Sequence, residues 1–162
     1  MTDWPESLNA DNWFLRERLS ATRNRTALRL DDREVSYWEV DALASGFAES
    51  LIAAGVSPRD RVLIVLPDGA EYVAALFGIL RVGAVVVMVN PGLAHEALVG
   101  IVKRAAASAA FVHERHRDDF TKAVAASGTA PEIIDPADIG EANVETVETS
   151  PDVPAIWLFS GG

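Results

Sequence analysis

Residues Ala155-Ile-Trp-Leu-Phe-Ser160-Gly161-Gly162 form an apolar, strand-like run that opens into a serine and two glycines. Glycines lack a Cβ, so backbone N–H groups there can approach phosphate oxygens, and a serine hydroxyl adds a further donor. Ser160, Gly161 and Gly162 are therefore the candidate phosphate-binding residues for a nucleotide cofactor. The tripeptide alone also reads as an ordinary turn, and no complete P-loop or Rossmann glycine fingerprint occurs in the chain. Other reactive groups point to less. His95, His113 and His116 have no ligand spacing with a partner carboxylate and read as solvated or capping residues. Asp118-Asp119 reads as a helix-start pair favoured by the dipole. Trp4, Trp13, Trp38 and Trp157 lack the basic context of a nucleic-acid platform and are expected in core or interface.

The elements that must position Ser160 follow from periodicity. Asn12 to Leu19 predicts a short helix with its aromatics turned inward, and Thr26–Leu30 with Glu34–Ser36 predicts a hairpin around Asp31-Asp-Arg33. Ser36-Tyr-Trp-Glu39 has the form of a capping box, in which each end satisfies a backbone N–H of the other. The helix behind it carries Val40, Leu43, Ala44, Phe47 and Leu51 on one face, and Gly55 supplies a left-handed stop. Arg61–Leu66 and Ala84–Val89 are solid apolar runs of the kind that parallel strands, buried on both faces, require. Between them a helix is expected, capped by Asp68, facing inward with Val73, Leu76, Phe77 and Leu80, and ended by Gly83. Leu98, Ile101, Val102 and Ala105 predict another helix, Ala109–Val112 a strand, Arg117–Ala126 a helix and Glu132–Ile134 a strand.

Alternating strands and helices with short connections define an α/β class, with a mostly parallel sheet covered by helices on both faces and a small hairpin near the N-terminus. Residues 1–25 read as an N-terminal extension, 26–134 as the α/β core, 135–154 as an acidic exposed connection, and 155–162 as the strand and start of a phosphate loop. The net charge of -10 over 162 residues argues against a nucleic-acid partner, because no Lys/Arg cluster is present to displace counterions. Zero cysteines exclude a disulfide framework and a thiolate site, and fit a cytoplasmic protein. Tyr72 to Val89 is apolar enough to mimic a membrane span, but Arg81 at its centre would cost roughly 2.5–3.5 kcal/mol there, so no membrane partner is expected. Met1-Thr-Asp-Trp-Pro-Glu6 has neither the basic flank nor the apolar stretch of a secretory signal.

Three stretches, in order, resemble the core motifs of the adenylate-forming (AMP-binding) superfamily. Val35-Ser-Tyr-Trp-Glu-Val40 resembles the first, Leu80-Arg-Val-Gly-Ala-Val-Val-Val-Met-Val-Asn-Pro91 the second, and Ala155-Ile-Trp-Leu-Phe-Ser-Gly-Gly162 the opening of the third. The third continues in that family through hydroxyl residues and a glycine to a Pro-Lys pair. Gly161 stands where many relatives have a second serine, which leaves a backbone donor there without a hydroxyl. Asn9-Ala-Asp-Asn-Trp-Phe-Leu15 and Trp157-Leu-Phe-Ser160 are similar to aryl-CoA ligases of the benzoate-CoA ligase type.

The resemblance implies an ATP-dependent, AMP-forming ligase that turns a carboxylic acid, of benzoate-like type, into an acyl-adenylate and passes it to coenzyme A. It implies ATP, Mg2+ and coenzyme A as cofactors and Ser160, Gly161 and Gly162 as nucleotide contacts. No catalytic residue and no metal ligand of this chain is implied, and Ser36, Glu39 and Gly83 are expected to serve structure alone. Enzymes of the family are much longer, so the acyl pocket, the adenine site and the catalytic lysine are expected outside these residues, and the isolated piece is expected to be inactive. Its strand at Ala155–Phe159 would have an unpaired edge, so poor solubility or homodimers are expected of it. Two alternatives stay open: an aryl-AMP ligase that loads a carrier protein, and a non-catalytic α/β binding module ending naturally at Gly162.

Overall fold

The computed structural model of the chain describes residues 5–31 and 33–159. Strands β3 (Arg61–Val65), β4 (Val85–Met88), β5 (Ala109–Val112), β6 (Glu132–Ile134) and β7 (Ile156–Trp157) form one sheet. Its order is β6-β5-β3-β4-β7, with every neighbouring pair parallel. The apolar runs divide between two faces, as the period of two requires. Val62, Ile64, Val86 and Phe111 meet Phe47, Leu51, Ala75 and Ile79 of helices α3 (Tyr37–Ala53) and α4 (Ala70–Arg81). Leu63, Val65, Val87 and Val112 meet Leu98, Ile101, Val102 and Phe120 of α5 (His95–Ala105) and α6 (Glu114–Ser127). The antiparallel hairpin β1 (Thr26–Arg29) and β2 (Glu34–Ser36) leads directly into α3.

Several local expectations give way to packing. In α4 the fully buried positions include Ala74, Ala75, Gly78 and Ile79, while Val73, Leu76 and Phe77 are half-buried. Small residues face inward because α3 and α4 approach closely: a Cβ on Gly78 would lie 2.6 Å from the Phe47 Cβ and 2.8 Å from the Ala44 carbonyl oxygen. Asp68 does not cap α4, which starts after Gly69 with no side-chain cap. Helix α6 begins at Glu114, so Asp118 and Asp119 lie a turn inside it, exposed, and not at its start. Gly55 and Gly83 do take positive φ, 76° and 73°, behind α3 and α4.

The N-terminal segment folds as two short helices, α1 (Ala10–Phe14) and α2 (Leu19–Thr22), joined by a 3-10 turn at Arg16–Arg18. Its aromatics face outward, contrary to the periodicity: Trp13 is 39% and Phe14 66% exposed. The inward face of α1 belongs instead to Asp11 and Leu15, four residues apart and fully buried. The exposed tryptophans stack under cations, Arg18 over Trp13, Arg23 over Trp38 and Arg61 over Trp157, at 5.2–5.8 Å from the ring centroids. Trp4 lies outside the described residues.

Asp11 is held inward by Arg81, whose side chain is 0% exposed. Arg81 Nε and Nη2 donate to the two Asp11 carboxylate oxygens at 3.0 Å each, and Nη2 also donates to Asp41 Oδ1 at 2.6 Å. Nη1 donates to the Asp41 carbonyl and to Ser45 Oγ, so all five guanidinium N–H groups have an acceptor. Burial alone would lower the arginine pKa, but Asp11 and Asp41 outweigh it and the net direction is upward. Residues 135–154 cross from β6 to β7 and are stitched to this cluster: the Thr146 hydroxyl donates to Asp11, and the Val147 N–H donates to the Arg81 carbonyl at 2.9 Å. Asp11→Ala should cost about 3–5 kcal/mol in chemical denaturation, because it leaves a buried cation short of acceptors. Joint replacement of Asp11 and Arg81 by Leu and Met should cost less, and equal losses would show that the charges are not coupled.

Candidate functional site

The connection from β3 to β4 runs through α4 on one face, and that from β4 to β5 runs through α5 on the other. The loops leaving β3 and β4 therefore part at the carboxyl ends of the strands, where open parallel sheets bind ligands. A cavity of about 570 Å³ lies there. Its walls are Leu66, Pro67 and Asp68 behind β3, Met88 to Pro91 behind β4, Leu158 and Phe159 behind β7, with Tyr72 and Arg115 contributed by α4 and α6.

The local chemistry of this crevice is fixed by backbone turns. Asn90 Oδ1 accepts the Gly92 N–H at 2.8 Å, which shapes the Asn90-Pro91-Gly92 turn. His113 Nδ1 accepts the Arg115 N–H at 3.2 Å and so caps α6, and Arg115 Nε donates to His116 Nε2 at 2.8 Å. Burial, then the Arg115 charge, hold His116 below its ordinary pKa, and the neutral ring is the acceptor that this bond needs. Burial, with the Asp68 carboxylate beside it, raises the Tyr72 phenol, which therefore stays protonated and able to donate. His95 is exposed in the first turn of α5. Among the described residues no three His, Asp or Glu side chains converge on a metal position.

Ser160, Gly161 and Gly162 lie outside the described residues. Phe159, to which Ser160 is bonded, lines the crevice and packs under the Arg104 guanidinium at 5.3 Å. Among the described residues β7 is the last strand of the sheet, and Ile156, Trp157 and Leu158 are exposed. Tyr72 and Arg115 were not legible as site residues, since their positions depend on which strand ends become neighbours. A second groove, about 270 Å³, lies at the opposite ends of β4 and β7 between Trp13, Phe14, Leu80, Gly83 and Ala84, and its lining is mostly apolar.

A sequence model of the family described as AMP-binding enzyme matches residues 15–162. The chain belongs to that family. It is 29% identical over 173 residues to a 3-hydroxybenzoate--CoA/4-hydroxybenzoate--CoA ligase of Thauera aromatica, an alignment covering 97% of this chain and 33% of that protein. Over 58 residues, 36% of this chain and 10% of the relative, it is 47% identical to a salicyl-AMP ligase / salicyl-S-ArCP synthetase of Mycobacterium tuberculosis. The fold is shared with the crystal structure of the anthranilate CoA ligase AuaEII in complex with anthranoyl-AMP, with a TM-score of 0.90 at 23% identity over 100% of this chain and 33% of that one. The chain thus spans about a third of the length of the Thauera relative.

The first of the three motifs, Val35–Val40, builds a helix start, while the second, Leu80–Pro91, ends in the Met88–Pro91 wall of the crevice. Ser36 N–H donates to Glu39 Oε2 at 2.7 Å, and Glu39 N–H donates to Ser36 Oγ at 3.2 Å, so the capping box is complete. The Ser36 backbone bond, then its hydroxyl, lower the Glu39 pKa, so this brace is in force above the ordinary carboxylate range and is lost as pH falls through the folded value. Neither residue lines the crevice. Ser36→Ala should therefore cost about 0.5–2 kcal/mol of stability and leave substrate preference unchanged. A changed Michaelis constant at unchanged stability would make Ser36 a site residue.

Proposed function

We propose that the chain is the first part of an acid–thiol ligase that activates a carboxylic acid with ATP. In the first step a carboxylate oxygen attacks the α-phosphorus of ATP, forming the acyl-adenylate and releasing pyrophosphate. In the second the sulfur of coenzyme A attacks the acyl carbon and AMP leaves. Both reactants of the first step are anions, so the site must offset charge and hold the groups in line. Ser160, Gly161 and Gly162 are the proposed phosphate contacts. The observation that carries this assignment is that Phe159, directly before them, lines the crevice at the switch point of a parallel sheet. Backbone N–H groups of the glycines and the serine hydroxyl would supply donors to phosphate oxygens there.

The acid is proposed to be an aryl acid of benzoate type, supported by the hydroxybenzoate ligase that aligns along 97% of the chain. Magnesium would neutralise the triphosphate, but the described residues offer it no cluster of ligands, so none is assigned to it. The acyl pocket, the adenine site and the catalytic lysine belong, on this reading, to the rest of the parent protein, and residues 1–162 alone form no adenylate. A cytoplasmic location goes with the coenzyme A and ATP supply, and no described helix is long and apolar enough to cross a membrane. A second reading, an aryl-AMP ligase that hands its adenylate to a carrier protein, is favoured by the 47% identity of one stretch to the salicyl-AMP ligase.

The test is ATP–pyrophosphate exchange by the full-length protein against a panel of benzoate-like acids, with and without coenzyme A. Acid-dependent exchange is expected, along with none from a 1–162 piece. Coenzyme A thioester or its absence then separates the two acceptors, and no exchange with any acid would contradict both readings.

A further inference from the structure

Among the described residues, Arg115 and Asp68 are the only charged side chains on the wall of the crevice behind β3 and β4. Arg117, two residues further along α6, is engaged by the Asp135 carboxylate at 2.7 Å. Arg115 is paired with no carboxylate of the described residues. A guanidinium carries a permanent charge and five donors, in a planar fork that matches the oxygens of a phosphate. The bond from Arg115 to His116 uses Nε alone, so both Nη groups keep their donors.

A long arginine side chain has much rotamer freedom to lose, so a contact made by it gains from any group that holds it in advance. Arg115 is held at both ends: its backbone N–H donates to His113 Nδ1 at 3.2 Å, and its Nε to His116 Nε2 at 2.8 Å. The two imidazole rings stand edge to face, 6.4 Å apart, so the helix cap also braces the ring that holds the guanidinium. His116 itself is off the crevice wall. Only a neutral His116 can accept the Nε–H. After burial, Arg115 and His113 favour that neutral form, and Asp119 opposes them. Near the end of β6, Asp135 is engaged by Arg117 and by the Ala137 N–H. Helix α5 packs beside α6, and its His95, Glu96, Lys103 and Arg104 are not among the groups acting on the ring. The latch is therefore closed in and above the ordinary histidine range and opens as pH falls through the lowered value.

We propose that Arg115 is a contact for a phosphate group of a substrate in the crevice, and that His116 is the positioning residue that aims it, releasing it on protonation. On the function proposed above, on which this rests, two substrates carry phosphate groups, ATP and coenzyme A. Protonation of His116 adds a positive charge, but off the crevice wall and screened by water, whereas loss of the bond frees the whole Arg115 side chain. Weaker phosphate binding at low pH is the net result.

The experiment uses the full-length protein carrying Arg115→Gln, His116→Ala or His116→Gln, with the KM for MgATP read from exchange and the KM for coenzyme A from thioester formation. Arg115→Gln should raise one of the two roughly tenfold or more, which also tells which phosphate is held, with the KM for the acid and the melting temperature close to wild type. His116→Ala should raise the same constant roughly two- to tenfold at neutral pH. Glutamine offers an amide oxygen to the Nε–H and does not titrate, so His116→Gln should recover most of that loss. Between about pH 5 and 8 the wild-type constant should rise towards acid relative to that of His116→Gln. Both constants unchanged in Arg115→Gln, or no effect of His116→Ala, or parallel pH profiles for wild type and His116→Gln, would overturn the inference. So would all constants rising together with a lowered melting temperature, which would give Arg115 a structural partner instead. If the wild-type protein shows no exchange with any acid, the functional reading fails separately. Calorimetric binding of ATP and of coenzyme A to wild type and Arg115→Gln then decides the contact, which is overturned if both bind the two proteins equally or bind neither.

Discussion

The structure depends first on one buried cation. Arg81 sits at the end of α4 with no exposed surface, and a guanidinium in that position is tolerable only with its five donors matched. Its acceptors come from α1 and α3, through Asp11, Asp41 and Ser45, so the ion pair fixes how the N-terminal segment and the first long helix meet α4. The backbone carbonyl of the same residue receives Val147, so the return of the chain to the sheet edge is fixed there as well. The small inward residues of α4 fit this scheme, since a close α3–α4 contact brings Asp41 and Ser45 within reach of Arg81.

With that side braced, the sheet can split its connections between two faces and open a crevice at the carboxyl ends of β3 and β4. The crevice carries polar groups that converge, an asparagine turn, a protonated phenol and an arginine held by a neutral histidine. The groove at the other end is largely apolar and is walled by the outward aromatics of α1. The proposed function places its anionic ligands in the first of these, where strand ends and loop amides meet.

Much of this was legible in the residues. The apolar runs Arg61–Leu66 and Ala84–Val89 contain the parallel strands β3 and β4, and Ser36 with Glu39 marked the start of α3, because both signals are local and a single physical cause produces each. The α5 face was read residue for residue, since it packs against an ordinary apolar sheet face. What periodicity misjudged was set by distant partners. Trp13 and Phe14 face water because Asp11 claims the inward side of α1, and α4 buries alanines and a glycine because α3 lies so close. Arg81 was visible as a charge out of place in an apolar stretch, which signals a buried partner, but nothing local names Asp11, seventy residues earlier. Of the crevice, the Asn90-Pro91 end of the second motif could be read, whereas Tyr72 and Arg115 reach it only through the strand order.

The central claim, that the crevice behind β3, β4 and β7 is where the adenylate is held, can be tested by amide hydrogen exchange of the full-length protein. The ligand is a non-hydrolysable adenosine acyl-sulfamate analogue of whichever acid supports exchange. Residues 66–72, 88–92 and 158–162 should gain protection on binding, while 8–14 and 83–84 at the opposite groove stay as they were. Protection confined to the opposite groove, with the crevice unchanged, would contradict the account.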